Sequence, residues 1–227
     1  MSGDPSDGTR DTGVTLRDGA WRRQRLADAR LYLCTPRRDD LEAFLDTVLA
    51  AGVDIVQLRD KDAPRTALVH AAETFRVTVE RHEALFILND DPELAVEVGA
   101  DGVHVGQDDP SPRDAREVVG GQLLIGRSTH DVGQVSRALK EDCDYFAVGP
   151  VHATPTKAGR PPAGLAPVRL AAAVARDKPW FAIGGMAPDT IPDARAAGAR
   201  RVVVVRAITD ATDAGAAVRQ LRTALEG

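Results

Sequence analysis

Eight short apolar runs recur along the chain, and this recurrence limits the possible folds more than any other feature. They are "RLYLCT" (30–35), "DIVQL" (54–58), "ALFIL" (84–88), "GVHVG" (102–106), "LLIG" (123–126), "YFAVG" (145–149), "WFAIG" (180–184) and "RVVVV" (201–205). Several are rich in β-branched residues, and the segments between them are helical in pattern. "DDLEAFLDTVLAAG" and "PRTALVHAAETFRVTVERH" place apolar residues at i, i+3, i+4 and i+7, the spacing of an amphipathic helix. Strand alternating with helix implies a parallel sheet. Eight such units in a chain of 227 residues predict an α/β fold, a closed (β/α)8 TIM barrel rather than an open doubly wound sheet.

This rhythm divides the chain simply. Residues 1–19 form a polar extension, expected to be disordered, and residues 20–227 a single barrel domain in which a short helix around Trp21 to Asp28 plugs the bottom. A length of 227 residues with 43% hydrophobic residues suffices for a substantial core. A net charge of −5 argues against a dominant basic face for nucleic acid and leaves room for a local cationic pocket. No apolar run approaches membrane-spanning length, and the first residues lack the apolar centre of a secretion signal, so a cytoplasmic location is expected. Cys34 and Cys143 are too few for a disulfide framework or a metal cluster and read as inert thiols. Association into a homo-oligomer is left open.

In such a barrel the strand ends converge on one face, where active sites lie. Polar groups follow the runs in order: "QLRDK" (57–61), "NDD" (89–91), "GQDD" (106–109), "RSTH" (127–130), "GPVHATPTKAGRPPAG" (149–164) and "GGM" (184–186). Each group also has a structural reading. Asp90 and Asp91 precede Pro92, and Asp108 and Asp109 precede Pro110, so each pair suits helix capping. Two strand ends that each carry an aspartate equally suit a divalent cation shared with phosphate oxygens. Lys61 and Lys157 are two of only four lysines and fall in strand-end loops, although both fit as solvated surface residues. Gly184-Gly185 serves either a turn or the approach of backbone N–H groups to a phosphate. His104 reads as a core or supporting histidine; His130 and His152 lie in loops and are compatible with substrate contact or with none. The set offers cation, lysines, Arg59 and glycines without a nucleophile and base triad. It fits departure of a diphosphate better than hydrolysis by an activated Ser or Cys.

The ordered set "QLRDK", "ND", "GQDD", "STH", "TPTK" and "AIGG" resembles the thiamine-phosphate synthase family over about residues 30–210. The resemblance implies a transferase that joins 4-amino-5-hydroxymethyl-2-methylpyrimidine diphosphate to thiazole phosphate, releasing pyrophosphate with Mg²⁺ as cofactor. It implies that Gln57, Leu58, Arg59, Asp60, Lys61 and Asn89 hold the pyrimidine diphosphate and that Asp90 and Asp109 bind the metal. Ser128 then bonds the diphosphate or pyrimidine, Thr154, Pro155 and Thr156 hold the thiazole, and Lys157 returns to the diphosphate. Lys61, Ser128 and Lys157 are the expected catalytic residues, and Gly185, Val205 and Arg206 the thiazole phosphate site. The loop at 149–164 becomes a mobile cover that excludes water during the reaction. Three positions depart from the family pattern: Arg206 where a small residue is usual, Pro36 where an acidic one is common, and the N-terminal extension. A thiazole phosphate isomerase on the same barrel and a phosphate-sensing barrel without turnover are the competing functions. Mg²⁺-dependent product formation separates the synthase from both.

Overall fold

A computed structural model describes residues 17–154 and 161–227. Helix α1 (Gly19–Asp28) precedes β1 (Leu31–Thr35), and then α2 (Leu41–Ala50), β2 (Ile55–Leu58), α3 (Arg65–Arg81), β3 (Leu85–Asn89), α4 (Pro92–Glu97) and β4 (Gly102–Val105) alternate. The order continues through α5 (Pro112–Val119), β5 (Leu124–Thr129), α6 (Val132–Ala138), β6 (Tyr145–Val148), α7 (Ala166–Val174) and β7 (Trp180–Ile183). It ends with α8 (Ile191–Ala196), β8 (Val202–Val204), α9 (Arg206–Thr209) and α10 (Ala214–Glu226). The eight strands pair in sequence order, all parallel, and β8 returns to β1, so the barrel is closed as the alternation predicts. The main boundary difference is at β5, which continues through Arg127, Ser128 and Thr129. Those residues are polar, yet all are buried, because inward positions near a barrel mouth face a cavity and outward ones face helices.

Two apolar layers hold the sheet. Outward residues such as Leu33, Val56, Leu58, Phe86, Val103 and Phe146 pack against the helices with Phe44, Phe75 and Leu221. Inward residues Tyr32, Ile55, Leu85, Ile87, Leu124, Tyr145, Phe181 and Val203 fill the interior. Leu26 and Ala29, 2% and 1% exposed, belong to the inner cluster, so the end of α1 closes the bottom of the barrel. Residues 1–16, most of the expected extension, lie outside the described residues, whereas Arg17 donates to Asp101 and to the Ala84 carbonyl.

A repeated acidic device fixes strand starts at that end. Asp54 before β2 accepts the Leu31 N–H at 2.9 Å, Asp101 before β4 accepts the Phe86 N–H at 2.9 Å, and Asp144 before β6 accepts the Ile125 N–H at 2.8 Å. Arginines neutralise all three: Arg222 at Asp54, Arg17 and Arg22 at Asp101, Arg116 and Arg23 at Asp144. Before β8 the corresponding residue is Arg201, which donates instead to the carbonyls of Ala27 and Ala29 and so ties α1 to the barrel. Side-chain caps set several of the helix starts. Asp91, Asp131 and Asp213 each accept an N–H from the first turn of α4, α6 and α10, and Ser111 with Asp114 forms a reciprocal capping box on α5.

Candidate active site

The strand ends enclose a cavity of about 890 Å³ at the mouth of the barrel. From β2, Gln57 points inward and is 2% exposed; the Arg59 N–H continues the ladder to the Thr35 carbonyl at 2.9 Å, while its side chain lines the cavity. Lys61 reaches across to Asp90, Nζ to Oδ2 2.8 Å. Asn89 ends β3, and Asp90 after it takes the left-handed region at φ 68° while its N–H donates to the His104 carbonyl at 2.8 Å. A non-glycine residue there is uncommon and costs backbone energy, and aspartate is one of the residues that tolerates it. The bend turns the Asp90 carboxylate into the mouth. Asp91, not Asp90, caps α4, accepting the Leu94 N–H at 2.8 Å.

After β4, Asp109 accepts the Gly106 N–H at 2.6 Å. Ser111 performs the capping of α5, so Asp109 remains directed at the cavity. Burial first, and the neighbouring Asp90 carboxylate next, push the Asp109 carboxyl above its ordinary pKa, against the pull of the Gly106 N–H and Lys61. Two carboxylates from adjacent strand ends therefore crowd one another beside a lysine. This donor set suits a hard cation that also takes oxygen atoms from water or phosphate. Among the described residues no group of three or more His, Cys, Asp or Glu side chains is placed to hold a metal, so the two aspartates would have to be supplemented in that way.

Ser128 faces inward from β5, its Oγ 3.0 Å from His104 Nε2, and the Gln107 amide donates to its carbonyl at 2.6 Å. On the far side, His130 Nδ1–H donates to the Gly149 carbonyl at 2.5 Å, and Thr154 lines the wall. Gly184 and Gly185 both have positive φ, 98° and 65°, and a Cβ on Gly185 would come within 2.7 Å of the His152 Cβ. Their turn is pinned by Thr190, whose hydroxyl donates to the Gly185 carbonyl at 2.7 Å and accepts the Ala187 N–H at 2.9 Å. Val205 and Arg206, at the start of α9, complete the rim.

The structure thus gathers Gln57, Arg59, Lys61, Asn89, Asp90, Asp109, Ser128, Thr154, Gly185, Val205 and Arg206 around one cavity. Leu58 packs outward into the helix layer and Asp60 pairs with Arg37 at 2.9 Å, so neither side chain lines it. Pro155, Thr156 and Lys157 of the expected cover lie outside the described residues. Sequence reasoning passed over Gln107, which stands in the quoted "GQDD", and Thr190, five residues beyond Gly185. It also passed over Tyr32 and Tyr145, whose polar tips sit inside otherwise apolar strands.

Residues 31–208 match the family model described as thiamine monophosphate synthase. The chain belongs to this family of transferases. It is 49% identical over 210 residues to the thiamine-phosphate synthase of Mycolicibacterium vanbaalenii, covering 87% of this chain and 95% of that protein. Against the thiamine-phosphate synthase of Mycobacterium leprae the identity is 51% over 218 residues, covering 88% and 92%. Among solved structures, thiamine phosphate pyrophosphorylase from Pyrococcus furiosus superposes with a TM-score of 0.79 at 29% identity, over 90% of this chain and 97% of that one. The family match begins at β1 and ends within α9, so it includes every strand and the residues that line the cavity except Asp210, and leaves out α1 and α10.

Proposed function

We propose that this synthase joins a pyrimidine diphosphate to a thiazole phosphate by a dissociative displacement at the barrel mouth. The observation that carries the reading is the cluster of Lys61, Asp90 and Asp109 on one side of a cavity whose other side presents Gly184, Gly185 and Arg206. Two anionic groups need two separate places. The diphosphate lies by Arg59, Lys61 and the two aspartates, and the thiazole phosphate by the glycine turn, Val205 and Arg206.

The C–O bond between the pyrimidine methylene and the diphosphate breaks, and pyrophosphate leaves with the electron pair. The thiazole ring nitrogen gives its lone pair to the methylene carbon, so that one C–N bond replaces one C–O bond. Mg²⁺ held by Asp90 and Asp109 would supply charge neutralisation for the leaving diphosphate. Lys61 and Arg59 add fixed positive charge where negative charge develops, a contribution that grows in a site closed to water. Ser128 and Gln57 orient the pyrimidine, and Lys157 with the Thr154–Thr156 stretch covers the pair of substrates. Small-molecule substrates, with neither nucleic acid nor membrane as partner, and a cytoplasmic setting belong to the same proposal. No helix of the described residues is long and apolar enough to cross a membrane.

The test is to mix the protein with both substrates, with and without Mg²⁺, and detect thiamine phosphate and pyrophosphate. Formation of both in the presence of Mg²⁺ is expected. Binding or isomerisation of the thiazole phosphate without joining would overturn the assignment.

A further inference from the structure

Beneath the mouth, six buried side chains form a continuous line of hydrogen bonds through the barrel interior. Cys34 Sγ lies 3.0 Å from Gln57 Oε1, Gln57 Nε2 2.8 Å from the Tyr32 hydroxyl, and the Tyr32 and Tyr145 hydroxyls 3.0 Å apart. The Tyr145 hydroxyl is 3.2 Å from His104 Nδ1, and His104 Nε2 3.0 Å from Ser128 Oγ. The line joins β1, β2, β4, β5 and β6, and its members are at most 8% exposed. Space has been left for it. A Cβ on Gly126 would overlap both the Tyr145 ring and His104 Nδ1, and Phe181 braces the two tyrosines edge-on, with centroids 5.5 and 5.8 Å away.

The chemistry of each group gives the line a direction. Burial holds both phenols above their ordinary pKa, so each keeps its single hydrogen. The Gln57 amide nitrogen can only donate, so the Tyr32 oxygen accepts and the Tyr32 hydrogen goes to Tyr145. The Tyr145 hydrogen then goes to His104 Nδ1, which must be bare. The ring proton sits on Nε2 and is given to Ser128 Oγ, leaving the Ser128 hydrogen to point at the cavity. The orientation of the Gln57 amide decides the whole direction. The Cys34 thiol sets it, because S–H is a donor to Oε1 and sulfur a poor acceptor for the amide nitrogen.

We infer that this line is a one-way relay that fixes His104 as the Nε2–H tautomer and makes Ser128 a hydrogen-bond donor to the pyrimidine diphosphate. His104, Tyr145 and Tyr32 are positioning residues, acting through Ser128 at one end of the line, and Cys34 at the other end sets its direction through Gln57. The statement about Ser128 rests on the proposed function; the statement about His104 does not.

Nuclear magnetic resonance of the ligand-free protein, with ¹⁵N in the histidine rings and His104 assigned through its backbone, reads the tautomer from the ring ¹⁵N shifts and two-bond couplings. A protonated Nε2 and a bare Nδ1 are expected. The Nδ1–H form would overturn the relay, because His104 would then donate to Tyr145 and accept from Ser128, leaving Ser128 no hydrogen for the cavity. Tyr145→Phe removes the donor to Nδ1. We expect the His104 signals to move toward a mixture of tautomers, and KM for the pyrimidine diphosphate to rise about tenfold with kcat much less affected. Unchanged tautomer and unchanged KM in that variant would refute the positioning role. A variant that does not fold leaves the wild-type measurement standing. If the tautomer is as expected but KM for a different substrate responds, the relay holds and the substrate assignment fails.

Discussion

Asp101 offers a sharp test of how the barrel bottom is held. Its carboxylate is 4% exposed and accepts three donors: the Phe86 N–H at 2.9 Å, Arg22 Nε at 3.0 Å and Arg17. Replacement by alanine strands all three. Losing one partner of a buried ion pair costs about 3–5 kcal/mol, which must be cut to roughly half here because the arginines reach solvent. Their side chains are 19% and 14% exposed. A backbone N–H left without an acceptor adds about 1–3 kcal/mol, so the sum is roughly 2.5–5.5 kcal/mol. For a chain of this size each kcal/mol moves Tm by about 2–4 °C, giving a fall of about 5–22 °C. Asp101→Asn keeps one oxygen for Phe86 and should fall about half as far. Asp40→Ala is the control: its partner Arg38 is at 2.6 Å, but the aspartate side chain is 60% exposed and solvent screens the pair, so Tm should stay close to the parent. Thermal unfolding followed by circular dichroism measures all three variants, and hydrogen exchange should show α1 opening first in Asp101→Ala. A fall of less than about 2 °C for that variant would refute the reasoning, since Asp101 would then be no more than a surface charge.

Four further outcomes are expected. Lys61→Met should lower kcat about a hundredfold or more with the fold intact, because the lysine acts on charge that develops as the diphosphate leaves; steady-state kinetics with a Tm control reads it. Asp90→Asn, chosen because asparagine also accepts the left-handed backbone found there, should raise the Mg²⁺ concentration needed for half activity. The same variant removes a repulsion that lifts the Asp109 pKa. Metal uptake needs Asp109 deprotonated, so its acid limb, followed by Mg²⁺ titration at several pH values, should move to lower pH. Cys143, pushed up to about 11 mainly by burial, should resist iodoacetamide at pH 8, where roughly one thiol in a thousand is ionised, and react once the protein is denatured. Its folded pKa lies above the unfolded value, so its stabilising contribution is complete below about pH 8.5 and lost as pH rises through 11; urea titrations should show a shallower alkaline decline for Cys143→Ala. Finally, Gly126→Ala should destabilise strongly, since the new methyl group meets the rigid Tyr145 ring; a Tm within about 2 °C of the parent would show that the interior yields there.

How much of this was legible depends on whether a feature is local along the chain. Apolar runs alternating with amphipathic segments reflect local periodicity, so all eight strands were readable, along with the order of polar groups at their ends. Local chemistry did not separate Asp90 from Asp91, and only the family resemblance picked out Asp90. Both precede Pro92, and only the backbone bend at Asp90 sends one carboxylate to the mouth and leaves the other to cap α4. At β5 the strand seemed to stop at Gly126 because "RST" is polar, yet these residues continue the ladder with β6, pairing with Phe146, Ala147 and Val148. The acidic device at the bottom stood in the sequence as an aspartate immediately before the second, fourth and sixth strands, and its meaning needed the neighbouring strand's N–H to be visible.

The buried relay is the least legible feature for the same reason, and this bears on what the barrel interior does. Gln57, His104 and Ser128 stand out singly in the sequence and Tyr32 and Tyr145 do not, and nothing local along the chain joins the five. They meet only because closure of the sheet sets Cys34 beside Gln57, His104 beside Gly126, and Gly126 beside Tyr145 in register. A shift of one residue in any of these pairings would turn the polar tips into the helix layer, where each unpaired group would carry a desolvation cost. The line therefore constrains strand register as well as Ser128. The same hydrogen bonds that orient the floor of the site penalise a misaligned barrel.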